Sequence, residues 1–294
     1  MMRTPAWVLL LVMLASRLGA QEHRAGRRRE AEAAGTQRGG AATGILSSLR
    51  LIDLTHELNA TTTAWPGSNQ RFRMDTITAG RNAQGGYAAL FALALPEHFG
   101  THMDAPHHFS EHGPTTAQVP LWRLAGPAVI IDVTDSASAN RDYRVTPRDI
   151  ERFEQEHGRI PDDAIVLVRT GYAAFWTNRA RYFGWDSTVT PVQLHFPGMG
   201  EEAARLLVSE RHVAAVGLDV ASTDAGAATA FPVHRILAEG GVPGFENLGD
   251  LSELPATGSF LVALTPKIGG GSGGPLRAVA LVPRRERGNR PTRK

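Results

Sequence analysis

The chain has no cysteine in 294 residues. That excludes disulfides, thiolate metal sites and cysteine nucleophiles together, so any metal must be held by nitrogen and oxygen ligands. The absence also suits an exported protein, because a chain without thiols cannot mispair and a domain of this length buries enough core to fold uncross-linked. Long apolar runs are missing too. The run Ala6–Ala15 has ten residues, about half of the ~20 needed to cross a bilayer as a helix. With Arg3 before it and Leu18-Gly19-Ala20 after it, the run reads as a secretory signal peptide over residues 1–20. A secreted or periplasmic protein without stable membrane insertion is expected.

Excess positive charge is absent from the body. The whole chain is +2, but residues 1–44 and 284–294 together carry +9, which leaves −7 on residues 45–283. The basic character belongs to the ends, and an acidic body argues against a nucleic-acid-binding face. Residues 21–44 are polar and rich in Ala and Gly, as a disordered linker is; residues 284–294 read as a basic disordered tail. There is no P-loop and no internal repeat. The order of elements in 45–283 predicts a single α/β domain with a central mixed sheet and flanking helices. Strands are expected at Leu51–Leu54, Ala88–Leu95, Gly126–Val133, Ile165–Val168, Val213–Val220, Phe260–Leu264 and Ala278–Val282. Thr146-Pro147-Arg148-Asp149 opens a helix with a cap, a proline at the first position and an acid in the first turn, ending near His157-Gly158. Further helices are expected over Gly200–Arg211 and Val233–Glu239. Asn59-Ala60-Thr61 is an N-glycosylation sequon.

What the sequence does have is histidine in one place: five of its eleven fall between His98 and His112. The spacing is His98-x3-His102-x-Asp104-x3-His108. Gly100, Pro96 and Pro106 argue against a helix there. In an extended segment His102 and Asp104 point to the same side, and Gly100 allows a turn that folds His98 back toward them. Two imidazoles and a carboxylate then form a set for Zn²⁺, Mn²⁺ or Fe²⁺ with open positions. His108, beyond the proline, is placed to act as general base or acid; the bland alternative is a histidine-rich surface loop, and His107 and His112 belong with it. Trp65, on the Trp65-Pro66-Gly67 turn, is either a lid over core or a stacking surface for a flat substrate. Gly270-Gly271-Ser272-Gly273-Gly274 matches a nucleophile elbow, and residues 269–274 match a dinucleotide fingerprint. Neither is followed by a helix, and no histidine lies beyond His234, so this stretch reads as a flexible loop or a place of close backbone approach.

The segment His98–His108 resembles the HxGTHxDxPxH signature of the metal-dependent cyclase family, which includes bacterial kynurenine formamidases and isatin hydrolases. The resemblance extends to Leu51–Thr55 with Trp65-Pro66-Gly67, to Phe231–His234 and Phe245–Leu248, to Pro266–Ile268 and to Gly273–Ala278. It implies a cyclase-like fold and a hydrolase acting on C–N bonds other than peptide bonds. It also implies His98, His102 and Asp104 on one metal, Asp104 bridging to a second held by His234 and Glu246, His108 as catalytic acid/base, and Trp65 against the substrate ring. One or two divalent metals per chain, Zn²⁺ or Mn²⁺, are implied, with a homo-oligomer, dimer or larger. The first substrate implied is N-formyl-L-kynurenine, released as kynurenine and formate in tryptophan catabolism. Isatin ring opening is the alternative, and an exported, non-catalytic metal-binding protein is the reading of a different class. Arg235 stands where some relatives carry a further histidine.

Overall fold

The computed structural model describes residues 47–69, 71–185 and 193–284. The expected signal peptide and linker, and all of the expected tail but Arg284, lie outside the described residues. Chain contacts divide the molecule at Ser48/Leu49, and the second unit carries both the sheet and the histidine cluster.

Its frame is a nine-stranded mixed sheet with the order β1-β13-β11-β5-β7-β9-β10-β4-β12. The strands are β1 Leu49–Asp53, β4 His102–Asp104, β5 Ala125–Asp132, β7 Ile165–Arg169, β9 Ala215–Leu218, β10 Gly244–Glu246, β11 Ser259–Leu264, β12 Gly273–Pro275 and β13 Arg277–Pro283. Two short pairs stand apart from it: β2 Arg73–Arg81 with β3 Tyr87–Ala94, and β6 Arg144–Val145 with β8 Gly198–Met199.

The centre of the sheet is parallel, through β5, β7, β9 and β10. These strands carry unbroken apolar runs, because both faces are covered. On one side Val129, Ile131, Val166 and Val168 pack with the helices α1 Thr134–Ala139, α2 Pro147–His157, α3 Arg179–Phe183, α4 Glu201–Ser209 and α5 Pro232–Glu239. On the other, Ile130, Ile165 and Leu167 pack with Leu54, Met103, Phe245 and Leu261. Helix α2 begins and ends where its residues demand. The Asp149 carboxylate accepts from the Thr146 N–H and hydroxyl, each at 2.8 Å, and Gly158 ends the helix at φ +87.

Every expected strand and helix forms, with ends shifted by a few residues. Not expected were β2, β10, α1, α3, the pair β6/β8 and the strand β12, which occupies part of the glycine-rich stretch read as a loop. The short elements lack the periodicity that would mark them, and in the nine-residue β2 a bulge between Thr76 and Thr78 breaks the alternation.

Candidate metal centre and active site

The site lies past the carboxyl ends of the parallel strands β9 and β10, where open α/β sheets place their ligands. Strand β4 sits between β10 and β12. Its register sets Glu246 opposite His102 on one side, and Gly273 opposite Asp104 on the other. His102 and Asp104, two apart on β4, project to one face. Gly100 turns the chain just before them at φ +66, a conformation open to glycine, and His98 folds back so that its Nδ1 lies 2.6 Å from Asp104 Oδ1. His234 comes from the first turn of α5, reached through Ala230 and Phe231 in the left-handed region.

The donor atoms converge on Asp104. His102 Nε2 is 3.2 Å from Asp104 Oδ1 and 3.5 Å from Glu246 Oε2. His234 Nε2 is 3.0 Å from Asp104 Oδ2 and 3.1 Å from Glu246 Oε1. His102, Asp104, His234 and Glu246 are all buried. The five residues assigned as ligands from the sequence are thus in one place, and Asp104 offers one oxygen to His98 and His102 and the other to His234.

Electrostatics shows what the cluster wants. Burial opposes charge on His102 and His234, but the carboxylates outweigh it. Asp104 and Glu246 raise His102, and Asp104, Asp224 and Glu246 raise His234 well above its ordinary value. Burial likewise pushes Asp104 up, yet the imidazoles of His102, His234 and His98 gathered around it hold it well below the usual carboxylate range. The pocket between the two carboxylates is therefore a place for positive charge. Asp104 Oδ2, although close to His234 Nε2, is buried without hydrogen-bond geometry to any donor. An orphaned carboxylate oxygen among imidazole nitrogens and a second carboxylate fits a divalent cation held by N and O ligands.

Each imidazole is fixed through its far nitrogen, as metal-binding histidines are. His102 Nδ1 donates to the Gly100 carbonyl at 2.9 Å, which also accepts from Asn247 Nδ2 at 3.0 Å. Tyr182 is fully buried, and that burial holds its hydroxyl protonated; it donates to Asn247 Oδ1 at 2.8 Å. His234 Nδ1 lies 2.6 Å from Asp224 Oδ2, and Asp224 also accepts the N–H groups of Val233 and His234 at the start of α5. His98 Nε2 meets Ser272 Oγ at 3.0 Å; the Ser272 hydroxyl and N–H donate to Glu97 Oε2 at 2.6 and 3.0 Å. Hydrogen-bond consistency makes each far nitrogen the protonated one and leaves the other to the centre.

Sequence reasoning missed Glu97, Asp224, Asn247 and Ser272 as parts of the site. Only Ser272 had a signal, in the glycine-rich stretch: a Cβ on Gly273 would sit 2.5 Å from His98 Cε1, so the backbone-approach half of that reading is the one the fold uses.

His108 follows Pro106 in a single turn of 3₁₀ helix. Its ring stacks on His98 at 3.8 Å between centroids. It faces the cavity and is exposed there, but the protein packed around it pushes its pKa down to about 4, with His98 and His234 adding to the effect against Asp104. It is a neutral imidazole at pH 7 and can accept a proton. His98, Asp104 and His108 also lie close enough to share one ion.

Above the centre is a cavity of about 280 Å³. Trp65, Phe109, Phe183 and Phe231 form its walls, with Trp65 edge-on to Phe183 at 5.9 Å. Trp65 therefore does line the site, on a wall suited to a flat ring. His112 is exposed and outside it.

The Cyclase family model matches residues 52–225, more than half of the chain. This protein belongs to the cyclase family. Among its relatives, the isatin hydrolase of Roseibium aggregatum is 34% identical over 211 residues, spanning 69% of this chain and 78% of that protein. The kynurenine formamidase of Salinibacter ruber is 30% identical over 239 residues, spanning 79% and 97%. The crystal structure of an isatin hydrolase bound to the product analogue thioisatinate superposes on this cyclase-family chain with a TM-score of 0.75, at 29% identity, covering 85% of this chain and all of that one. A structure described as a "Potential Metal-Dependent Hydrolase With Cyclase Activity" superposes with a TM-score of 0.62, at 25% identity, covering 81% and 100%. Hydrolase chemistry and metal dependence are thus the common description of the family around this chain.

Proposed function

We propose that this chain hydrolyses the amide C–N bond of a small aryl amide, with Zn²⁺ or Mn²⁺ held by His98, His102, Asp104, His234 and Glu246. The observation that carries the reading is the gathering of three imidazoles and the Glu246 carboxylate around the Asp104 carboxylate, one oxygen of which is unpaired, at the floor of an aromatic-walled cavity. When bound, a divalent cation supplies Lewis acidity and brings the pKa of a coordinated water toward neutrality. His108, uncharged at pH 7, takes the proton from the attacking water and delivers it to the leaving nitrogen. Water oxygen adds to the carbonyl carbon, the C–N bond breaks, and the nitrogen leaves carrying the proton. Trp65, Phe183 and Phe231 hold the ring and keep bulk water from it. Asp104 reaches toward two sets of ligands through its two oxygens, which supports two ions as well as one.

Resemblance points first to N-formyl-L-kynurenine. A specific observation favours isatin as the second reading. Among the described residues lining the cavity, the ionisable side chains are only the five ligands and His108. A zwitterionic amino acid would find no separate counter-charge for its ammonium and carboxylate, whereas neutral, flat isatin needs none. The purified protein, assayed with each substrate before and after chelation and metal re-addition, tests both. Chelation should abolish turnover and Zn²⁺ or Mn²⁺ should restore it, with isatin opened faster than N-formylkynurenine is cleaved. No metal-dependent hydrolysis of either amide would end the assignment. The site of action is proposed to be outside the cytoplasm, on the support of the signal-like segment at residues 1–20.

A further inference from the structure

Between β9 and α5 the chain reads Ser-Thr-Asp-Ala-Gly-Ala-Ala-Thr-Ala-Phe over residues 222–231, with no large apolar side chain before Phe231. The loop is pinned along its length. Thr223 and Phe196 carbonyls accept from the N–H groups of Met199 and Gly226 at 2.8 and 2.9 Å, and Asp224 caps α5. A Cβ on Gly226 would lie 2.8 Å from Phe196 Cδ1, so glycine is what lets the loop close on Phe196. The small side chains that follow leave space. A cavity of about 450 Å³ is bordered by residues 225–229, Pro66, Leu194 and His195.

Trp65, Ser222 and Phe231 line this cavity and the metal cavity alike. The partition between the two is thus largely a pair of rings, 6.4 Å apart between centroids. Phe231 is held there by a left-handed backbone, with φ +50, after Ala230 at φ +62. Residues other than glycine adopt that conformation rarely, and such strain gathers at ligand sites. The metal cavity, at about 280 Å³, falls just below the roughly 300–1,000 Å³ of ordinary ligand pockets, room for a single-ring amide and little more.

The second cavity has its own chemistry. Among its described lining residues there is no lysine or arginine. The Asp224 carboxylate is already committed to the Val233 and His234 N–H groups and to His234 Nδ1. His195 Nδ1 lies 3.0 and 2.9 Å from the two Asp142 oxygens, so it carries a proton, and the uncharged ring has Nε2 left to offer as an acceptor.

We propose that this cavity is a second substrate subsite, which takes an uncharged apolar substituent on the ring of the aryl amide, ending in a hydroxyl or N–H that donates to His195. The proposal rests on the reading of the chain as an aryl-amide hydrolase. A substituent ending in a carboxylate would meet no counter-charge there and is excluded.

Formanilides carrying a hydroxypropyl, butyl or carboxyethyl group at the ortho, meta or para position test this with the metal-loaded full chain, each being cleaved to its aniline and formate. Apolar pockets discriminate by about tenfold or more per methylene. At one ring position or more, hydroxypropyl should therefore raise kcat/KM at least about tenfold over bare formanilide, and carboxyethyl should not. Ala228→Phe, and independently Ala227→Phe, should bring that ratio back toward one by filling the cavity. His195→Phe should reduce the preference for hydroxypropyl over butyl by about three- to tenfold, the worth of one hydrogen bond. Calorimetry with the corresponding anilines reads the subsite without turnover: a chain that cleaves no anilide ends the hydrolase reading, yet the same order of affinities is still required. The proposal is overturned if no position favours hydroxypropyl, if carboxyethyl is accepted as well, if neither alanine substitution changes the ratio, or if His195→Phe leaves the preference over butyl intact.

Discussion

Gly273→Ala should weaken metal binding more than its size suggests. The added Cβ would lie 2.5 Å from His98 Cε1, 2.6 Å from the Met103 carbonyl oxygen and 2.9 Å from His98 Nδ1. Carbon atoms in good contact sit about 3.5–4.0 Å apart, so one side must yield by about 1 Å. The backbone of β12 is tied to β4, with Gly273 opposite Asp104. The ring of His98 is the freer partner, and moving it breaks both its 2.6 Å contact with Asp104 and its 3.0 Å contact with Ser272. Overpacking of this kind costs about 1–3 kcal/mol. A displaced ligand costs roughly 10–100-fold in metal affinity, by analogy with the loss of outer-shell partners. Competition against a chelator of known affinity measures the binding, and thermal unfolding of the metal-free protein measures the packing cost. Gly269→Ala is the control: it lies in the same stretch with nothing within 4 Å of its added Cβ, and it should change neither. If Gly273→Ala holds metal within twofold of the unaltered protein, the account of His98 as a ligand fixed by this strand is wrong.

His108→Ala should retain metal while turnover falls by roughly two to four orders of magnitude; loss of metal on elemental analysis would instead make His108 a ligand. Ser272→Ala should lower metal affinity about tenfold, because His98 Nε2 loses its acceptor, and Ser272→Thr should recover most of it in the same competition assay. His56 supplies a pH test away from the ligands. Its ring stacks on Trp176 at 4.1 Å, its Nε2 has no partner, and burial lowers its pKa from 6.5 to about 4. The unfolded chain therefore binds the extra proton between pH 6.5 and 4, so His56 makes stability rise with pH across that window and fall as pH drops through it. The full shift corresponds to on the order of 3 kcal/mol. Denaturant unfolding of His56→Phe at pH 4.5 and 7 should show a slope reduced by part of that amount, and an unchanged slope would count against the burial of a neutral ring.

Local sequence determined much of this protein, wherever the physical cause is local. Helix α2 was legible because its cap, its proline and its terminal glycine act within a turn of the residues they control. The convergence of His102 and Asp104 was legible because a strand repeats every two residues, and the return of His98 because glycine alone turns freely at φ +66. The remaining two ligands came from resemblance, since nothing local connects His234 or Glu246 to a cluster some 130 residues earlier.

Tertiary structure decided the rest. Glu246 meets His102 through the pairing of β10 with β4, and Ser272 meets His98 through the pairing of β12 with β4. Asp224 reaches His234 by capping the helix that carries it. Strand register and helix docking are set by the whole core, because a one-residue slip would turn each of these side chains to the opposite face. The same holds for β3: its composition marks it as a strand to be covered, but only the assembled fold shows that the described residues of its own chain leave it exposed.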